Sequence, residues 1–290
     1  MKKTVGKKSN SPEAAMRRAN EYLARMEATR TVESFSPKEL ALPLKVGVDL
    51  GTSNIVVTVL DRDNEPVAFA LRAARVVRDG IVVNFMEAAK ILEELKAELE
   101  GRLGVALERA ATAIPPGIMQ GNVKVISNVV MAAGFSVVKV IDEPEAAALM
   151  LGITKGAVVD IGGGTTGVSV IRDGSVAYSV DEPTGGTHMT LVVAGGAKLG
   201  FEEAEAYKLA PGNTQRVFAM IRPVIEKMAQ ITKESLREKV DALYLAGGAS
   251  ALPGIDAVFE NYTGIKSYKP ENPILVTPIG IAMSIPAGER

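Results

Sequence analysis

"VVDIGGGTTGVSVIRDG" (residues 158–174) carries a run of β-branched residues into an aspartate, three glycines and two threonines, then resumes its apolar alternation. A second stretch, "VGVDLGTSNIVVTVLDRD" (46–63), follows the same plan: apolar strand, aspartate, Gly-rich turn with hydroxyls, apolar strand, polar Arg-Asp turn. Asp49 aligns with Asp160 and Gly51 with Gly162, 111 residues apart. Each copy reads as a β-hairpin whose tight turn carries no bulky side chain. Backbone N–H groups in such a turn approach an anion closely, and the hydroxyls of Thr52, Ser53, Thr165 and Thr166 add donors. The two aspartates are the hard oxygen groups that a hydrated Mg²⁺ needs beside a phosphate chain. Two such turns, facing each other, would clamp the phosphates of a nucleotide. One D-x-G turn alone is usually a structural hairpin, and the duplication is what argues against that reading. A Walker signature is absent, and "DIGGGTTG" does not open a helix as a Rossmann glycine turn does.

Composition limits the alternatives. The 290 residues suffice for two domains, and 47% are hydrophobic, which suits packed α/β layers. A formal charge of −1 gives no reason to expect nucleic acid or an anionic membrane as partner. The chain has no cysteine, which excludes disulfides, thiol nucleophiles and thiolate metal sites, and a single histidine, His188, argues against a histidine-rich metal centre. No apolar run approaches the ~20 residues of a membrane span, and the basic N-terminus lacks a signal-peptide core. A cytoplasmic protein is expected.

Residues 1–44 show no strand pattern. "MKKTVGKKSN" (1–10) is expected to be disordered, and Ser11-Pro12-Glu13 reads as a helix cap with Pro in the first turn. Ala15, Ala19, Leu23 and Met26 share one face of the helix that follows. Residues 1–30 hold eight Lys or Arg against three Asp or Glu, and 34–44, with Pro37 and Pro43, read as a linker. The helix is marginal alone. It is expected either to dock on a partner or to pack on its own core.

In their order, the motifs resemble those of the actin-like ATPases, which include sugar kinases, actin, MreB-type filament proteins and DnaK-type chaperones. "VGVDLGTSN" and "VVDIGGGTTGVSV" resemble the two phosphate motifs. "VIDEPEAAALMLG" (140–152) and "TPIGIAMS" (277–284) resemble the two connecting segments, and "LYLAGGASALPGI" (243–255) the adenosine motif. "VVRDGIVVNF" (76–85), "DEPEAAA" and "DEPTGGTHMTL" (181–191) are further similar to the ethanolamine-utilization protein J family, compact chaperone-like members encoded with microcompartment enzymes.

The resemblance implies an α/β actin-like ATPase fold. Its two lobes would each carry a five-stranded mixed sheet of ribonuclease-H type, with reduced peripheral subdomains. The expected division is a tail at 1–44, a first lobe at 45–142 completed by 277–290, and a second lobe at 143–276. It implies ATP or ADP with Mg²⁺ as ligands, Asp49 and Asp160 holding the metal's waters. Gly51, Thr52 and Ser53 match the first phosphate turn, and Gly162, Gly163, Gly164, Thr165 and Thr166 the second. Glu143 matches the carboxylate beside the attacking water, with Asp160 as its catalytic companion; alone it would be an ordinary first-turn acid. Glu205 and Lys208 match a ribose-contacting pair, or form a solvated i,i+3 ion pair. Gly247 and Gly248 match the adenosine turn, or a plain strand-to-helix turn. Pro115 in "ATAIPPGIMQGN" (111–122) resembles a proline that couples nucleotide state to lobe orientation, and a structural Pro-Pro turn is the alternative.

His188 stands where relatives carry an aspartate, so a structural role is expected. The lysine that chaperone relatives send toward the γ-phosphate has no clear counterpart; Arg78 is the candidate. With no peptide-binding domain expected after Arg290, chaperone action falls to the ATPase surface, the N-terminal helix or a partner. The leading reading is an ATP-binding, DnaK-like chaperone or assembly factor, which either hydrolyses ATP slowly or binds nucleotide only as a switch. Its expected partners are ethanolamine-utilization enzymes or microcompartment shell proteins, in the cytoplasm or at the microcompartment. An MreB-like filament is the alternative, and a small-molecule kinase lacks an evident aspartate base.

Overall fold

The structure, a computed structural model, describes residues 11–36, 38, 40–78 and 80–286; the expectation of disorder for 1–10 lies outside them. Two five-stranded sheets form its framework. The first holds β1 (Lys45–Leu50), β2 (Asn54–Leu60), β3 (Pro66–Ala73), β6 (Arg109–Ile114) and β7 (Ser136–Asp142) in the order β3-β2-β1-β6-β7. The second holds β8 (Gly156–Ile161), β9 (Thr166–Arg172), β10 (Ser175–Glu182), β11 (Leu243–Ala246) and β12 (Ser267–Tyr268) in the order β10-β9-β8-β11-β12. Each is a three-stranded antiparallel meander extended by two parallel strands. A small ribbon, β4 (Val77–Arg78) with β5 (Ile81–Val82), stands apart from both. The duplication is exact at the hairpins: Asp49 pairs with Val56 and Leu50 with Ile55, as Asp160 pairs with Gly167 and Ile161 with Thr166.

Alternation explains which side of each strand is covered. In the first lobe α2 (Phe85–Leu103) and α3 (Gln120–Ala132) bury Leu92, Leu95, Leu99 and Val129 against Val46, Val48 and Val57. In the second, α5 (Gly186–Ala197), α7 (Thr214–Ser235) and α8 (Ile255–Thr263) cover Val159, Val168 and Leu245, while α6 (Phe201–Leu209) packs on α5.

Two helices join the lobes. α4 (Glu143–Leu151) leaves the first sheet for the second, and α9 (Val276–Met283) returns to lie on β1 and β2, where Thr58 Oγ1 donates to the Pro278 carbonyl at 2.8 Å. They cross so closely that a Cβ on Gly280 would sit 1.8 Å from the Ala146 carbonyl oxygen, so only glycine permits this crossing.

The N-terminal segment belongs to this body. Ser11 caps α1 (Pro12–Ala28), accepting from Ala14 N at 3.3 Å. The expected apolar face is spent inside the chain: Leu23 and Met26 are buried with Phe69 of the first lobe, Ile153 and Tyr244 of the second, and Ile279 of α9. Tyr22 Oη donates to the Asn64 carbonyl at 2.6 Å on the first lobe, and Asn272 Nδ2 to Glu27 at 2.9 Å on the second. The helix therefore straps both lobes, the second of its two expected fates, packing on its own core. The presumed linker is also tied down: Phe35 N donates to the Arg102 carbonyl at 2.9 Å and Arg62 N to the Ala41 carbonyl at 3.0 Å.

Leu23→Ala should cost about 2–5 kcal/mol, and removal of residues 1–30 should lower the melting midpoint by several degrees or more. Thermal denaturation followed by circular dichroism checks this; a free docking helix would leave the midpoint unchanged.

Candidate functional site

The two hairpin turns meet between the lobes. A Cβ on Gly163 would lie 2.1 Å from Ser53 Oγ, so the turns touch tip to tip. They wall a cleft of about 1000 Å³, also lined by Glu143, Asp181, Gly186, Glu205, Lys208, Gly247 and Gly248. Among the described residues, the amides of Thr52, Ser53, Gly163, Gly164 and Thr165 have no protein acceptor, so each turn presents unspent donors.

Four carboxylates converge at the turns. Asp49 and Asp160 end equivalent strands, Glu143 opens α4, and Asp181 comes from the far end of β10, opposite Gly167. Each keeps some surface open, yet surrounding protein displaces most of the water around Asp49, Glu143 and Asp160. That desolvation, and then the Asp160 charge, pushes Asp49 up to about 7. Asp160 rises to about 6 through desolvation and Asp181. Glu143 is held well above the ordinary carboxylate range by desolvation and by the charges of Asp49, Asp160, Asp181 and Asp142. A helix N-terminus alone would lower it, so desolvation and the neighbouring charges outweigh the helix dipole at Glu143. Its neighbour Glu145 fills a structural role instead, accepting from Val176 N at 3.2 Å.

The cleft's cations are already engaged. Among the described residues its lining carries Arg75 and Lys208 against seven carboxylates. Arg75 of the first lobe reaches Glu202 of the second at 2.7 Å and lies 4.4 Å from the centre of the Phe201 ring. Lys208 Nζ is 2.8 Å from Glu205. A phosphate chain entering here would need a cation of its own. The donors suit a hard ion, since all are oxygens. No group of three acids among the described residues is close enough to ligate a metal directly, so Asp49 and Asp160 suit Mg²⁺ held through water. The buried Thr277 hydroxyl, lacking a hydrogen-bond partner of ordinary geometry, also faces the cleft.

Most of the expected positions come together, and some take other roles. Asp49, Gly51, Thr52, Ser53, Gly162, Gly163 and Thr165 line the cleft with Glu143 and Asp160. Gly164 and Thr166 do not; the Thr166 hydroxyl is buried on the Thr184 carbonyl at 2.5 Å. Gly247, at φ 80°, passes so near the second hairpin that a Cβ would fall 2.2 Å from Asp160 Oδ1, so the turn also seats that carboxylate. Lys208 is buried with Glu205 in a network rather than solvated. His188 Nδ1 accepts from Gly185 N at 3.2 Å, a cap on α5, as the structural expectation held. Pro115 and Pro116 both line the cleft. Arg78 is exposed on β4, outside the cleft, and the first-lobe cation inside it is Arg75. Asp181 and Arg75 escaped the sequence reading, although "DEPTGG" placed the former in a noted motif.

A two-lobed body with paired phosphate-type turns and crossed connecting helices defines the actin-like ATPase fold. Family models for MreB/Mbl protein and for cell division protein FtsA match residues 66–195 and 157–280. The ethanolamine utilization protein EutJ of Escherichia coli K12 is 39% identical over 262 residues, covering 90% of this chain and 92% of its own. The crystal structure of EutJ from Carboxydothermus hydrogenoformans superposes with a TM-score of 0.87 at 46% identity, over 93% of this chain and 98% of that one. At the level of fold alone, MreB 5 of Spiroplasma citri bound to AMPPNP matches with a TM-score of 0.67 at 17% identity, over 83% and 95%. The chain belongs to the ethanolamine utilization protein EutJ family. Among the described residues no helix is long and apolar enough to cross a membrane.

The raised carboxylates fix a sign. Asp49 binds its proton at about 7 when folded against an ordinary 3.8, so the folded state holds more protons between those values, and stability falls as pH rises through that window. Asp160 and Glu143 act in the same direction. The ligand-free protein should melt lower at about pH 8 than at about pH 5.5, and Asp49→Asn should remove much of that difference. Melting curves across that range check it; parallel pH profiles for the two proteins would contradict it.

Proposed function

We propose that the chain binds ATP and ADP with Mg²⁺ between its two hairpins and works as a nucleotide-governed chaperone or assembly factor for ethanolamine-utilization enzymes or shell proteins. One observation carries the ligand reading: two equivalent turns with unspent amide donors meet tip to tip, each beside a carboxylate, in one cleft. Residues 51–53 and 162–165 would cradle the phosphates, with Asp49 and Asp160 holding the metal's waters. Bound Mg²⁺ supplies the positive charge that offsets phosphates and carboxylates alike. Glu205 faces the sugar, and Gly247 with Gly248 leaves the base room. Glu143, with its raised proton affinity, orients water and accepts its proton. With both cleft cations spent on Glu202 and Glu205, the phosphates have little protein charge to meet, which fits slow turnover. The family membership supports the ethanolamine-utilization setting, and a place in the cytoplasm or at a microcompartment follows as part of the same proposal. The family-model match to MreB/Mbl protein favours one second reading, a nucleotide-dependent filament.

Calorimetry with ADP should show affinity rising about tenfold or more with Mg²⁺, and Asp160→Ala should remove most of that gain. Metal-independent affinity, unaltered in the variant, would overturn the ligand assignment. If turnover is measurable, Glu143→Gln should slow it by about a hundredfold with ADP affinity nearly intact, whereas Thr165→Ala should weaken phosphate binding. Equal affinity losses in the two would make Glu143 structural. Light scattering that climbs on ATP addition would select the filament.

A further inference from the structure

Lys208 stands at the sugar side of the cleft, where a ligand-contacting role is the obvious assignment. Its surroundings say otherwise. The ammonium is buried and donates to Glu205 Oε2 at 2.8 Å, to Thr190 Oγ1 at 2.8 Å and to the Gly186 carbonyl at 3.3 Å. An ammonium has three protons, and all three are spent. Thr190, fully buried on α5, accepts one of them and turns its own proton toward Glu205 or the Gly186 carbonyl at 3.0 Å.

The far end of this network is the second phosphate turn. Gly186 opens α5, and its amide donates to the Gly162 carbonyl at 2.9 Å; the Thr187 amide donates to Gly163 at 2.8 Å. A continuous path thus runs from α6 through Lys208 and Thr190 to the first turn of α5, and from there to the carbonyls of the glycine turn. Breaking it leaves a buried ammonium or carbonyl short of a partner, a costly defect that the turn can relieve only by moving. Glu205 differs from Lys208. Its side chain is 31% exposed, lines the cleft, and among the described residues its Oε1 carries no hydrogen bond.

We infer that Lys208 and Thr190 form a positioning brace that holds the second phosphate turn in place. This rests on the nucleotide reading above for its ligand and on the hydrogen-bond path for its mechanics. It assigns Thr190, which does not line the cleft, an indirect bearing on phosphate affinity.

Two readouts test it. Without ligand, hydrogen exchange of the Gly162, Gly186 and Thr187 amides, which donate to the carbonyls of Thr165, Gly162 and Gly163, should speed up about tenfold in Thr190→Val, with the paired amides of the first hairpin's strands as an unchanged internal control and Thr190→Ser restoring protection. With ligand, Lys208→Met and Thr190→Val should each weaken ADP, 2′-deoxy-ADP, 3′-deoxy-ADP and pyrophosphate by one common factor of about ten, whereas Glu205→Gln should narrow the preference for ADP over its deoxy analogues. The brace is overturned if Lys208→Met abolishes that preference and spares pyrophosphate, or if exchange at the Gly162, Gly186 and Thr187 amides in Thr190→Val matches wild type. Failure of the wild type to bind ADP or pyrophosphate would instead refute the nucleotide reading, and the exchange comparison would still decide the brace.

Discussion

Like charge brought together is the constraint on which the rest of the molecule depends. Asp49 and Asp160 end strands of identical register in two sheets, and the contact of Ser53 with Gly163 forces those ends toward each other. Glu143 and Asp181 complete a group whose burial and charges push the proton affinities of Asp49, Glu143 and Asp160 upward. No isolated fold benefits from such a group, because desolvated carboxylates repel and lose hydration together. Its presence makes sense if a cation and an anion chain arrive as a unit, neutralising the acids and filling the amide donors of both turns at once.

That arrangement requires the lobes to be held in a defined relation, and three helices supply it. The α4–α9 crossing brings two backbones together at Gly280 and Ala146, leaving little freedom for sliding at the pivot. α1 adds a strap across both lobes, bonded to Asn64 on one and Asn272 on the other. Arg75 bridges to Glu202 and Phe201 across the cleft. That pair is exposed, so its ionic contribution is small, about 0–1 kcal/mol; its meaning lies in where it sits. Any change in lobe angle must be shared among these contacts.

The legible parts of this structure were those encoded locally. Each hairpin states its strand, acid, turn and return within about 17 residues, and the 111-residue offset survives in the pairing register without a slip. The apolar stripe Ala15, Ala19, Leu23 and Met26 was visible for the same reason, but what covers it was not: a helix stripe records its period and omits its partner. Arg75 was missed because its meaning lies 127 residues away, across a cleft that no local pattern describes. The spacing of Glu205 and Lys208 gave their pairing correctly and their surroundings wrongly, since Thr190 and the Gly186 carbonyl reach them only once α5 has packed on α6. Thr166 looks equivalent to its neighbour Thr165 in sequence, yet strand alternation turns it away from the cleft.

The central claim is that the facing hairpin carboxylates exist to hold a hydrated cation against phosphates. Its most direct test is a crystal structure with ADP and Mn²⁺ in place of Mg²⁺, read by the anomalous signal of the metal. The account expects one metal peak between Asp49 and Asp160, joined to both through water, with the diphosphate against residues 51–53 and 162–165. A diphosphate bound elsewhere, or bound at the turns with no metal near either aspartate, would contradict it.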